Sequence, residues 1–214
     1  MKAALPPRRK PRQERSRITV NAIVEAAARV FATRGLARAS TNAIADRAGV
    51  SVGSLYQYFP DKVALLRAVQ ERQLATLMAH MTAAARAPAP TLAAALRAII
   101  AVAVEHHRME AVLVRVVARH LPRDAGAPPS DPPRAFHRAL RELLVTHQAE
   151  LRVADHEFAM FVLKHLARSL IQAAVEQRPG DLANGAIARE LLVTALGFLT
   201  GHPGGKIRGL KNAK

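Results

Sequence analysis

Residues 41–59, TNAIADRAGVSVGSLYQYF, hold two short helix-forming runs separated by only three residues, Gly49-Val50-Ser51. So tight a connection makes two helices cross at close range, and few folds accept that. The residue types agree with a close crossing. Ala45 is small where the helices would meet, and Gly49 stands four residues later at the sharp turn. Ile44, Ala48, Val50 and Leu55 are apolar at positions that would close a miniature core. Ser40 or Thr41 offers an N-cap for the first run and Ser51 for the second. Phe59-Pro60-Asp61 ends the unit. The expected motif is a helix-turn-helix, whose second helix enters the DNA major groove with its N-terminal residues toward base edges. A helix N-terminus also attracts phosphate.

The chain has only two tyrosines, and both lie in this second helix, as Tyr56 and Tyr58 on either side of Gln57. Phenol and amide groups suit phosphates and base edges. Gly53 would let the backbone come close to a sugar-phosphate strand, and Lys62 at the start of the next helix could meet a phosphate. The other reading makes the tyrosines half-buried packing residues. Phe59 is expected in the core.

The remaining chain reads as helix throughout. It is rich in Ala, Leu, Val and Arg, has 4% aromatic residues and is 50% hydrophobic, so a sizeable helical core is affordable. A first helix is expected from about Ile18 to Arg34, with Ile23, Ala27, Val30 and Phe31 on its apolar side and Gly35 at its end. Further helices are expected at about 61–86, 92–104, 109–120, 134–151, 155–177 and 181–200. The total is nine, with no internal repeat. Between 92 and 104 the only charge is Arg97, which predicts a helix buried nearly all round. In the 155–177 segment the polar residues form one narrow strip and apolar residues cover the rest. That helix needs partners on two sides, and so does 181–200. They suggest a homodimer in which this pair meets its symmetry mate as a four-helix bundle. An ordinary interior helix pair is the alternative.

The formal charge is +16. Such an excess points to a polyanion partner, most simply nucleic acid. An Arg-rich composition inherited from the genome is the other source. Residues 1–17 carry seven cations against Glu14 alone, and residues 201–214 carry four cations and no acid. Both ends therefore read as flexible basic arms. With no cysteine, disulfides, thiolate metal sites and cysteine nucleophiles are excluded. The start MKAALPPRRK lacks the apolar segment of a signal peptide. No uncharged apolar run approaches the ~18 residues that cross a bilayer. The expectation is a cytoplasmic protein with no membrane association. The nine histidines show no metal-ligand spacing, and no metal or other cofactor is expected. The segment TGHPGGKIRG fails as a phosphate loop, because Thr200 and Ile207 stand where Gly and Ser or Thr belong. No nucleophile elbow or carboxylate pair stands out, so an enzyme is not expected.

The continuous stretch STNAIADRAGVSVGSLYQYFPDKVALLRAV resembles the DNA-binding segment of TetR-family transcriptional regulators, and IVEAAARVFATRGLARAS before it matches that family's first helix. The likeness spans about residues 17–70 in one register. It implies an all-α homodimer: a basic arm (1–16), a three-helix helix-turn-helix domain (17–63), an effector-binding and dimerisation domain (64–200) and a basic tail (201–214). Dimerisation would use the last two helices. By motif position the family's DNA contacts fall on Thr41, Ser51, Val52, Gly53, Ser54, Tyr56, Gln57, Tyr58 and Lys62. Many relatives have Lys or Thr where this chain has Val52, which cannot hydrogen-bond a base but can meet a thymine methyl. The resemblance also implies an unknown small-molecule effector, release from a palindromic operator, and repression. A constitutive or architectural DNA-binding protein without an effector is the alternative. For the effector pocket the candidate lining is Ile99, Val102, Leu113, Val117, Phe136, Leu140, Phe158 and Phe161, though each taken singly reads more simply as a plain core position.

Overall fold

The computed structural model describes residues 11–121 and 134–201. Among them lie ten α-helices and one 3-10 turn, with no strand. The expected arms fall largely outside these residues, and so does the proline-rich segment 122–133. The chain divides into two compact units. One comprises residues up to Gln73 together with Arg115–Ala125, and the other comprises Leu74–Val114 and Gly126 onward.

The first unit is built by α1 (Pro11–Arg38), α2 (Thr41–Ala48), α3 (Val52–Tyr58) and the first half of α4 (Lys62–Arg86). Helix α1 starts earlier than the apolar pattern predicts. Residues 12–17 carry no apolar side chains, yet Arg, Gln and Glu are good helix formers and Pro11 suits a first turn. It kinks at Gly35, whose φ of 68° and ψ of 169° leave the helical region. The unit's core is apolar and fully closed. Ile23, Phe31, Ile44, Leu55, Leu65 and Leu66 are wholly buried, and Phe59 is buried as expected. Each such side chain contributes roughly 1.5–3 kcal/mol by leaving water.

The second unit contains the rest of α4, α5 (Leu92–Met109), α7 (Arg134–Thr146), the 3-10 turn at Gln148–Glu150, α8 (His156–Gln177), α9 (Pro179–Ala183) and α10 (Ala186–Thr200). Helix α6 (Ala111–His120) begins in it. Thr91 caps α5 by accepting from the Ala94 amide, and Asp155 caps α8 by accepting from the Phe158 amide. Three apolar clusters fill the interior. Leu92 and Leu96 of α5 meet Leu144, Met160, Leu192 and Leu199. Further along, Ala103 and Val104 of α5 meet Ile171, Val175, Leu182, Ile187 and Leu191. Ile99 packs with Ala85, Ala95, Ala139 and Leu143. Helix α5 is common to all three, as its near lack of charge predicts. It extends to Met109, past the expected end at 104.

Two expected helices are interrupted. The 134–151 segment stops at Thr146, then tightens into the 3-10 turn, where the Glu150 carboxylate accepts from the Leu92 amide at 3.0 Å and faces His147 Nδ1 at 2.9 Å. The 181–200 segment is split by Gly185, left-handed at φ 76°, into α9 and α10. Nine expected helices thereby become ten.

Candidate nucleic-acid interface

The local sequence explains how α3 is held. Ser40 adopts an extended conformation and its hydroxyl accepts from the Ala43 amide, which starts α2. Gly49 ends α2 in the left-handed region at φ 68°. Its amide bonds to Asp46 O at 3.2 Å and the Val50 amide to Ala45 O at 3.0 Å, so the carbonyls at the end of α2 are satisfied within the turn. Ser51 then caps α3 through Ser54 N at 3.0 Å. Leu55 is the one buried residue of α3, and Phe59 just past its end is buried as well. Gly53, Tyr56, Gln57 and Tyr58 are consequently exposed together, with Val52 and Ser54 partly covered.

The two phenols are oriented rather than free. Tyr56 Oη lies 3.3 Å from Thr41 Oγ1, joining α3 to the start of α2. Ser16 Oγ donates to Tyr58 Oη at 3.1 Å. An accepting phenol keeps its own O–H for another partner, so Tyr58 can still donate outward. Lys62 is more occupied than expected. Its ammonium donates to Leu36 O at 3.2 Å and Ala39 O at 3.1 Å, at the end of α1. A cation there answers the negative end of the helix. One of its three N–H groups remains for a phosphate.

Two contacts of this unit lay beyond sequence reasoning. Ser16 reaches Tyr58 only because α1 begins before residue 18. The helix-forming composition of 12–17 was the available signal. Arg72 of α4 donates to Asn21 O at 3.2 Å and stands 3.6 Å from Glu25, which also pairs with Arg29 at 2.8 Å. Arg29 first, then Arg72, holds the Glu25 carboxyl below its ordinary range. No residue spacing announces this contact between α4 and α1, whose partners stand 51 positions apart.

The effector candidates divide. Ile99 is buried, and Phe136 and Leu140 pack on its cluster. Leu113 is buried and Val102 partly so. Val117 belongs to the unit that carries α3. Phe158 and Phe161 are not in the interior at all. They are 58% and 55% exposed, because Ala159 and Met160 turn the opposite side of α8 into the core. The two rings stack at 6.4 Å, and Phe161 lies 4.3 Å from the His165 ring. Helix α8 is also, by length and composition, the one described helix apolar enough to cross a membrane, and 28% of that stretch is buried. Among the described residues no group of three or more His, Asp or Glu side chains could hold a metal ion.

A capped helix-turn-helix presenting an amide and two phenols, followed by a separate helical unit, defines a DNA-binding transcription regulator. The family model for bacterial regulatory proteins of the tetR family matches residues 23–69, and that for the tetracyclin repressor-like C-terminal domain matches residues 91–199. The chain belongs to the tetR family. It is similar to a nucleoid occlusion factor of Haemophilus ducreyi, at 34% identity over 87 residues, 41% of this chain and 43% of that protein. The chain thus spans about two-fifths of the length of the curated relatives it matches. Among solved structures, one concerning control of antibiotic production by bacterial hormones has a TM-score of 0.65 at 24% identity, covering 85% of this chain and 97% of the other. A transcriptional regulator of Bacillus subtilis, solved with stearoyl-CoA, has a TM-score of 0.57 at 17% identity, covering 84% and 98%. At these identities the structures establish the fold.

Proposed function

We propose that this chain is a ligand-responsive repressor that binds a palindromic operator as a homodimer and leaves it when a small molecule occupies the second unit. The observation that carries the reading is the outward face of α3. Gly53, Tyr56, Gln57 and Tyr58 are exposed together over a buried Leu55 and Phe59, so the polar groups are presented on a fixed keel. Gln57 is the base reader, Val52 meets a thymine methyl, and Thr41, Ser51, Ser54, Tyr56, Tyr58 and Lys62 position the helix on phosphates. Residues 17–63 do the reading, 64–200 hold the effector and pair the subunits, and the protein works in the cytoplasm without catalysing a reaction.

The open face of α8 supports the dimer. A stacked pair of phenylalanines over half exposed is costly on a lone subunit and natural in a four-helix bundle. Twofold pairing would set the two α3 helices roughly 34–36 Å apart, one DNA turn. Release follows by linkage: an effector that binds the form unsuited to DNA better, by about 1–3 kcal/mol, loosens the complex. The stearoyl-CoA complex of the Bacillus subtilis regulator supports small-molecule binding in this fold.

The test is selection of genomic fragments by the purified protein near physiological salt, followed by footprinting and titration of ligands. One or a few palindromic sites, vacated on ligand addition, are expected. Uniform recovery of fragments that collapses as salt rises would overturn the reading. A second reading, a constitutive architectural DNA binder, is favoured by one observation, the nucleoid occlusion factor among the relatives. Specific sites that no ligand vacates would support it.

A further inference from the structure

Ser16 spends its hydroxyl in an uncommon way for a residue inside a helix. Helical hydroxyls often donate to the carbonyl one turn back. Thr33, Thr82, Thr146 and Thr200 do so here, to Arg29 O at 2.9 Å, Met78 O at 2.6 Å, Glu142 O at 2.9 Å and Leu196 O at 2.8 Å. Ser16 donates instead to Tyr58 Oη at 3.1 Å, 42 positions along the chain. A hydroxyl has a single hydrogen to give, so this bond settles where it goes. Ser16 is half-buried on α1, and Tyr58 is the last residue of α3 and 37% exposed. So exposed a ring is free to turn about its side-chain bonds unless its oxygen is held. The companion pair, Thr41 Oγ1 and Tyr56 Oη, is longer at 3.3 Å, and either hydroxyl can be its donor. The Ser16 bond is thus the directed one. Ser16 also lies before residue 23, where the match to the tetR family model begins, and outside the contact set that the motif assigns.

We infer that Ser16 is a positioning residue for DNA contact: by donating to Tyr58 Oη it leaves the phenol's own hydrogen to be given outward, to a phosphate. The inference rests on the reading of α3 as the helix that meets DNA, and adds to it a residue of α1. A phosphate oxygen only accepts, so whatever meets it must donate. An unheld Tyr58 could present either a lone pair or its hydrogen. With Ser16 donating to the oxygen, the hydrogen is what remains for the outer partner. A hydroxyl that accepts one hydrogen bond also becomes a stronger donor in the next. The ring is held before DNA arrives, so less side-chain freedom is lost on binding. Ser16 and Tyr58 are both neutral, so neither adds to the salt-dependent share of affinity. That separates their effect from the effect of the neighbouring Arg17, a cation exposed on the same helix.

The experiment measures binding of the full-length protein to the duplex most strongly retained in the genomic selection, for the parent chain, Ser16→Ala, Ser16→Thr, Tyr58→Phe and the Ser16→Ala/Tyr58→Phe double variant. Ser16→Ala and Tyr58→Phe should each weaken binding roughly three- to tenfold. The double variant should lose no more than Tyr58→Phe alone, because the serine acts only through the phenol. Ser16→Thr keeps the hydroxyl and should restore most of the affinity. The slope of log affinity against log salt should stay as it is in every variant. A second readout needs no DNA. The chain has two tyrosines and no tryptophan, so in a Tyr56→Phe background the tyrosine band of near-UV circular dichroism reports Tyr58 alone. Ser16→Ala should diminish that band, and Ser16→Thr should keep it. Unaltered affinity in Ser16→Ala, losses that add in the double variant, or an undiminished band overturns the assignment. A flattened salt slope in Ser16→Ala overturns it too, by making the serine a tether for the cations of α1. Coupled losses on a duplex held no better than scrambled DNA keep the positioning role and sink the operator reading instead.

Discussion

Lys62 shows how much one residue's role depends on where its charge is spent. At the start of α4, after the recognition helix, it reads as a phosphate contact. In the fold its ammonium closes the end of α1 through Leu36 O and Ala39 O. Both bonds lie at a partly buried position. Charge-assisted bonds of this kind contribute about 1.5–3 kcal/mol each before the cost of ordering the side chain. Lys62→Met keeps the length and apolar stem and removes the donors. It should lower the stability of the protein by about 1–3 kcal/mol in urea unfolding. Operator affinity should fall as well, from the remaining N–H. Reduced affinity with unaltered unfolding would mean that Lys62 serves DNA alone and that the bonds at the end of α1 contribute nothing. The tyrosines differ. Tyr56 and Tyr58 are 50% and 37% exposed, so they carry little of the core and their hydroxyls are aimed by Thr41 and Ser16.

Elements were legible in the sequence wherever their signal was local. Ser40, Gly49 and Ser51 cap and turn α2 and α3 as their residue types predict, because capping involves only neighbours within four positions. The start of α1, with no apolar periodicity, was not legible by the same means, and the break at Gly185 carried only the Asn184-Gly185 pair as a local mark. Phe158 and Phe161 illustrate a deeper limit. Periodicity tells that a face is apolar, not which of two apolar faces a single subunit buries. Helix α8 has both: Ala159, Met160, Ile171 and Val175 face inward, while Phe158 and Phe161 stack outside beside His165. That outer face is open on the single subunit, which the pocket assignment of Phe158 and Phe161 did not anticipate. If a second copy covers it, Phe161→Glu buries an unpaired carboxylate in the dimer at a cost of about 3–5 kcal/mol, more than a hundredfold in dissociation constant. Sedimentation should show monomers with unaltered helical content, since Phe161 is 55% exposed in one subunit. A variant that remains dimeric would place the interface elsewhere.

At the scale of the whole molecule the dominant quantity is charge. The formal excess of +16 is carried unevenly, and residues 2–12 alone hold Lys2, Arg8, Arg9, Lys10 and Arg12 without an acid. In a dimer that segment occurs twice. Each cation that meets a phosphate releases condensed counterions and adds roughly 0.9 to the slope of log affinity against log salt. Base reading by α3 contributes little to that slope, because a hydrogen bond to a base edge releases no counterions. The two contributions can therefore be separated on one operator. Removing residues 2–12 should flatten the slope by up to ~0.9 for every cation engaged on each subunit, and lower affinity most at low salt. Discrimination between the operator and a scrambled site should change little, since phosphate contacts carry no direct sequence information. Gln57→Ala should do the reverse, costing about 1–3 kcal/mol on the operator and leaving the slope alone. An unchanged slope in the shortened protein would mean that the N-terminal charges never reach the DNA, and that the excess serves solubility rather than recognition.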